Sequence, residues 1–125
     1  INSEKRPEIG TSISETRPWG NYTILDKEAN YLVKRIEVLP GESLSLQSHN
    51  HRSEHWTIVS GVAEVQIGEI LKTLKANQFI EIPKGAKHRL SNIGQSTLVI
   101  IEVQLGDKID ENDITRYEDK YGRDE

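Results

Sequence analysis

Gln47-Ser48-His49-Asn50-His51-Arg52-Ser53-Glu54-His55-Trp56 holds three of the four histidines of a 125-residue chain. Read with the two-residue period of a strand, Gln47, His49 and His51 fall on one face and Leu46, Ser48 and Asn50 on the other. Glu54 breaks that parity, so residues 50–53 are expected to turn the chain, after which Glu54, Trp56 and Ile58 share a face. Two adjacent strands could then aim Gln47, His49 and Glu54 into one interior. His55 falls on the opposite parity from Glu54 and is expected to point outward.

The rest of the chain repeats the pattern of short apolar runs cut by Gly, Pro, Asn and Asp. Candidate strands cover 22–25, 31–39, 42–49, 54–60, 63–67, 70–74, 78–82, 88–92 and 98–104. Such punctuation at intervals of roughly 8 to 12 residues marks an all-β sandwich or barrel. With no length left for crossover helices, the strands must pair antiparallel. Residues 1–16 are polar and aperiodic and read as an arm ahead of a single domain over 17–125. A short C-terminal helix is expected where Asp110 precedes Glu111, Asn112 and Asp113, with Ile114, Tyr117 and Tyr121 at helical spacing before Gly122.

Composition narrows the function classes. Apolar residues are 34% of the chain, enough for a modest core only. A net charge of −4 argues against a nucleic-acid binder, which needs excess Lys and Arg to displace phosphate counterions. No cysteine is present, so neither a disulfide framework nor a thiolate site is available. No signal peptide or membrane span is recognisable, and the expectation is a cytoplasmic protein.

The chemistry gathers around the opening stretch. Gln47, His49 and Glu54 form a mixed oxygen and nitrogen set that suits a divalent metal such as zinc, manganese or iron. A further ligand must come from elsewhere, and His88, delivered to a strand start by the Pro83-Lys84-Gly85 turn, is the remaining histidine. His51 is ambiguous: a replacement for Gln47, a contact at the mouth, or a base. Lys34 is in phase with Leu32, Ile36 and Val38, placing a lysine on the apolar side of its strand. It is either a buried acid or base, or a cation reaching the barrel rim. Glu102 and Gln104 share the parity of Leu98 and Ile100, but Val99, Ile101 and Val103 are equally apolar, so parity leaves open which face is inward. For an anion, Arg52 in the turn is the first choice, with Arg116 and Arg123 available if the C-terminal segment folds over the mouth. Lys87 and Arg89 have the parity of surface charges.

These residues resemble the cupins. Gly41, Gln47, His49, Glu54 and Gly61 stand at the spacing of the first cupin motif, with glutamine in place of its first histidine. Pro83, Gly85, His88 and Asn92 match the second, although Asn77 stands where a glycine is usual upstream. The resemblance implies a double-stranded β-helix, that is, a jelly-roll barrel.

A Gln, His, Glu, His set is similar to the zinc shell of phosphomannose isomerases. The wider text resembles the type II form, often the C-terminal half of bifunctional mannose-6-phosphate isomerase/mannose-1-phosphate guanylyltransferases. It includes Arg17-Pro18-Trp19-Gly20, Val33-Lys34-Arg35-Ile36, Ile101-Glu102-Val103-Gln104 and Asp119-x-Tyr121-Gly122-Arg123.

That resemblance implies interconversion of mannose 6-phosphate and fructose 6-phosphate through an enediol or enediolate, feeding GDP-mannose and polysaccharide synthesis. It also implies zinc as cofactor and a common cupin homodimer. The nucleotide loop of a guanylyltransferase is not found in these 125 residues, so guanylyl transfer is not expected of them. Two other readings compete: a sugar-phosphate-binding cupin without turnover, and an iron or manganese cupin performing oxygen chemistry.

Overall fold

In the computed structural model, residues 13–118 are described. They form eleven strands: β1 (Ile13–Arg17), β2 (Gly20–Glu28), β3 (Tyr31–Val38), β4 (Leu46–Ser48), β5 (Arg52–Ser60), β6 (Val62–Ile67), β7 (Ile70–Lys75), β8 (Phe79–Ile82), β9 (His88–Asn92), β10 (Leu98–Gly106) and β11 (Thr115–Glu118). A six-stranded sheet has the order β1-β2-β3-β10-β5-β8, and a five-stranded sheet the order β11-β4-β9-β6-β7. Among the described residues, every strand pairing is antiparallel. Each strand expected from the sequence has a counterpart, and β1 and β11 are additions.

The inward faces change character along their length, and this places the site. On β10, Leu98 and Ile100 are followed on the same face by Glu102 and Gln104, all buried. This answers the parity question: Val99, Ile101 and Val103 face outward. On β5 the inward run is Ile58, Trp56, Glu54, Arg52; on β9 it is Leu90, then His88; on β3, Val38 and Ile36, then Lys34. Register aligns the change, since Ile100 pairs with Ile36 and Ile58, whereas Glu102 pairs with Lys34 and Trp56. One end of the barrel is therefore a floor of Val38, Ile58, Ala63, Val65, Leu90, Leu98 and Ile100. The other end collects the polar groups. Removing such large apolar side chains from water is the main source of stability, about 1.5–3 kcal/mol for each, and the floor is what permits costly polar burial above it.

Two parts of the expected organisation change. The last residues of the arm, 13–16, belong to β1, which pairs with β2 from Ile13↔Ile24 to Arg17↔Gly20. Gly20, where β2 begins, lies close against β3: a Cβ there would overlap the Glu37 carbonyl oxygen.

The expected C-terminal helix is not formed over residues 110–118. Asp110 does bond a following amide, accepting from Asn112 N at 2.9 Å, but as a turn. The chain then runs extended along the open edge of β4, Thr115↔Ser48 and Arg116↔Gln47, and Tyr117 OH meets Ser48 Oγ at 2.9 Å. A side chain that can cap a helix makes the same bond in an Asx turn, and the unpaired edge of β4 decides the path of the chain beyond it. Tyr121 and Gly122 lie outside the described residues.

Candidate metal centre

His49, Glu54 and His88 offer ligand atoms that lie within 4.8 Å of one another, and all three side chains are buried. Glu54 sits between the imidazoles: His49 Nε2 is 3.1 Å from its Oε2 and His88 Nε2 is 3.9 Å from its Oε1. In both rings Nδ1 faces a carbonyl, that of Asp113 for His49 at 2.8 Å and that of Ala86 for His88 at 3.0 Å. A carbonyl only accepts, so Nδ1 carries a proton in both rings and Nε2 is the atom each ring turns toward Glu54. Burial foremost pushes His88 below the usual imidazole value, which keeps it in its neutral form. Gln47 stands opposite His88 in the β4–β9 pair. Its amide nitrogen donates to Ser45 Oγ at 3.0 Å and the Ser45 carbonyl at 3.3 Å, leaving the amide oxygen as the donor atom for a ligand. Two imidazole nitrogens, a carboxylate and an amide oxygen fit a divalent cation of zinc's chemistry.

Glu54 is held from several sides. Trp56 Nε1 donates to its Oε1 at 2.9 Å, and Arg52 Nε donates to its Oε2 at 2.9 Å. Arg52 also places a terminal nitrogen 3.2 Å from His49 Nε2. Burial opposes the charge on Glu54, yet hydrogen bonds from Glu102 and His49, and then the charge of Arg52, hold its carboxyl well below the usual range. Glu102 goes the other way. Burial first, then the neighbouring Glu54, raise it well above that range, against the pull of Lys34 and Arg52. Two adjacent buried carboxyls thus divide into one ionised and one protonated.

Arg52, Glu54 and His88 open onto a cavity of about 600 Å³ that is also lined by Tyr22, Lys34, Gln47, Glu102 and Arg116. That volume suits a small polar metabolite. Residues 109–112 and Ile114 line it too, so the segment expected as helix covers the mouth as a turn and strand.

Placement of the remaining candidates is mixed. His51 is exposed and does not share the face of His49, because β4 ends at Ser48 and strand alternation ends with it. Its backbone amide, not its ring, is used: it donates to Asp113 Oδ2 at 2.8 Å. Arg52 is buried against Glu54, whereas the sequence suggests a turn residue with its charge available to an anion. Lys34 does face the cavity, with Nζ 4.3 Å from the centre of the Tyr22 ring. His55 points outward and stacks on Phe79 at 5.1 Å. Asn92, part of the second motif, closes a turn by donating to the Val38 and Ser96 carbonyls at 2.8 Å each. Arg123 lies outside the described residues.

Ser45, Trp56 and Asp113 support the site without having been singled out by the sequence. Trp56 alone had a signal, its shared parity with Glu54.

The fold and the buried His/Glu cluster define the class, and solved structures agree on the fold. A Klebsiella pneumoniae protein with a double-stranded β-helix domain superposes with a TM-score of 0.74 at 20% identity, over 94% of this chain and 98% of that one. The Schizosaccharomyces pombe Cnp3 cupin domain superposes at 0.67 and 15% identity, over 79% of this chain and 72% of that one. The chain is a cupin. More narrowly, residues 4–119 match the model of the mannose-6-phosphate isomerase C-terminal family, and the chain belongs to that family.

Sequence relatives include the xanthan biosynthesis protein XanB of Xanthomonas campestris, 50% identical over 98% of this chain and 26% of its own length. Mannose-1-phosphate guanylyltransferase ManC of Salmonella typhimurium is 50% identical and the alginate biosynthesis protein AlgA of Pseudomonas syringae 47%, with the same coverage. The chain thus spans about a quarter of the length of the curated relatives it matches.

Proposed function

We propose that this chain is a metal-dependent aldose–ketose isomerase domain that interconverts mannose 6-phosphate and fructose 6-phosphate, in service of GDP-mannose and polysaccharide synthesis. The observation that carries the reading is the arrangement of Glu54 between two Nε2 atoms, each in a ring whose Nδ1 is held by a carbonyl, beside a cavity of sugar-phosphate size that Glu54 and His88 line. Family membership and relatives named for xanthan and alginate biosynthesis support it.

The reaction moves a proton between C2 and C1 of the sugar, and the difficulty is the weak acidity of carbon beside a carbonyl. Gln47, His49, Glu54 and His88 would hold a zinc ion, which as a Lewis acid supplies stabilisation of the oxyanion that develops on the sugar. The chain's own residues supply the rest. Glu102 lies in the cavity wall with Gln104 Nε2 3.4 Å from its Oε2; a cation held at Glu54 would offset the charge that keeps Glu102 protonated, so that it would meet the sugar as a carboxylate, take the proton and return it. Lys34, opposite Glu102 in the β3–β10 pair, rests on the Tyr22 ring and acts as a cation. Arg52 and Trp56 fix the Glu54 carboxylate, and the Ile and Leu floor beneath excludes water. Guanylyl transfer, which names some relatives, is not assigned to this quarter of their length.

A coupled assay for fructose 6-phosphate with zinc-loaded and chelator-stripped protein tests the reading. Turnover is expected only with metal. Saturable mannose 6-phosphate binding without turnover would instead identify a binding module.

A further inference from the structure

A second group of cations faces the cavity from the β1–β2–β3 wall. Arg17 ends β1 ahead of the Trp19-Gly20 corner, and its guanidinium carbon lies 5.2 Å from the centre of the Tyr22 ring. Its nitrogens donate to the Thr16 carbonyl at 3.0 Å, Glu15 Oε1 at 3.2 Å and the Tyr22 hydroxyl oxygen at 3.3 Å. Lys34 comes to the same ring, and all three side chains line the cavity that Glu54 and His88 also line. Bringing two cations to one tyrosine is repulsive unless an anion joins them. Glu15 offsets Arg17 only in part, since that pair is one-third and nearly half exposed and is screened by solvent. By contrast Arg52, another cation of the cavity lining, is already matched by buried Glu54.

We propose that Arg17, Lys34 and the Tyr22 hydroxyl form an anion subsite that takes the phosphate ester of the sugar, with the reacting carbons directed toward His49, Glu54 and His88. This rests on the isomerase reading above and adds to it the group that selects a phosphorylated substrate. The chemistry is complementary: a phosphate dianion has three terminal oxygens, and the subsite offers a planar guanidinium fork, a compact ammonium and a phenol O–H. Burial foremost raises the Tyr22 phenol above its ordinary value, so it remains a donor. Glu111, also in the lining, faces the same ring and sets a limit on how negative the occupant can make this wall.

The test is calorimetric titration of zinc-loaded protein with mannose 6-phosphate, mannose and inorganic phosphate, comparing wild type with Arg17→Ala, Arg17→Lys and Tyr22→Phe. Thermal unfolding checks that each variant is folded. Arg17→Ala is expected to weaken mannose 6-phosphate binding about ten- to a hundredfold, the range for one charged hydrogen-bonding partner, with mannose affinity unchanged. Arg17→Lys should recover part of the loss. Tyr22→Phe, which keeps the ring, should lose severalfold. Inorganic phosphate should compete with mannose 6-phosphate on wild type and far less on Arg17→Ala. Wild-type affinity for mannose 6-phosphate in Arg17→Ala would overturn the subsite and leave the isomerase reading standing. Failure of wild type itself to bind mannose 6-phosphate would overturn both.

Discussion

The main-chain carbonyl of Asp113 accepts the Nδ1 proton of His49 at 2.8 Å, while the Asp113 carboxylate accepts the amides of Asn50 and His51, each at 2.8 Å. One residue thus sets the tautomer of a candidate ligand and ties down the turn after it. Asp113→Ala keeps the carbonyl but frees the turn. We expect a loss of about 1 kcal/mol in urea unfolding, below the roughly 1.5–3 kcal/mol of charged hydrogen bonds because this carboxylate is largely solvated. We also expect about tenfold weaker zinc binding by chelator competition, as for other groups that orient a metal ligand. Unchanged zinc affinity would show that His49 is held without the turn.

The same carboxylate supplies a pH test. Burial opposes its charge slightly, but the Asn50 and His51 amides hold it below its ordinary value of 3.8. For an acid with a depressed folded value, the unfolded chain binds more protons between the two values, so stability rises with pH across that window. The contribution is complete above about pH 5 and is lost as pH falls through the folded value. The stability difference between wild type and Asp113→Ala should therefore be full at pH 7 and vanish in strong acid. A difference independent of pH would assign it to packing.

Arg52 and Glu54 lead to a third expectation. The ion pair is buried, so removing one partner strands the other charge, at a cost of about 3–5 kcal/mol. Arg52→Ala should lower the stability of metal-free protein by roughly that much. A divalent cation beside Glu54 would offset the missing charge, so zinc should raise the melting temperature of the variant more than that of wild type. Equal shifts would place the ion away from Glu54. In the companion variant His88→Ala, both the bound zinc and its thermal shift should be lost, as measured by elemental analysis and thermal unfolding.

The barrel was legible because alternation and punctuation are local properties of the chain. Glu54, Trp56 and Ile58 do share a face, and His55 does point out, since β5 runs unbroken from Arg52 to Ser60. Parity fails where strands end. Counting through a turn puts His51 on the face of His49, and the break in pattern assigns Arg52 to the turn although it begins the strand. Two features have no local signal. Whether β10 turns Glu102 or Ile101 inward depends on which neighbours it meets, and β3 and β5 settle it through Lys34 and Trp56. The path of residues 115–118 depends on the edge of β4, where Ser48 lies 69 positions before Tyr117, so Ile114 and Tyr117 at helical spacing mislead. Resemblance supplied the metal set that geometry then gathered, and it included Arg17 within the Arg17–Gly20 stretch without giving it or Asp113 a role.

Glu102 carries the last expectation. Burial, with the charge of Glu54 beside it, raises its carboxyl well above the usual 4.5. An acid raised on folding binds more protons in the native state between its unfolded and folded values, so metal-free stability falls as pH climbs through that window. Gln in its place keeps the shape and a donor for Glu54 without that penalty. Glu102→Gln should therefore be at least as stable as wild type at pH 7 in chelator-treated protein, and should bind zinc normally. Unable to take up and return a proton, it should lose at least about a hundredfold in kcat with little change in KM. Reduced zinc content would make Glu102 a support of the metal centre instead. Full kcat with normal zinc would move the proton transfer to another cavity group, of which Lys34 is the next placed.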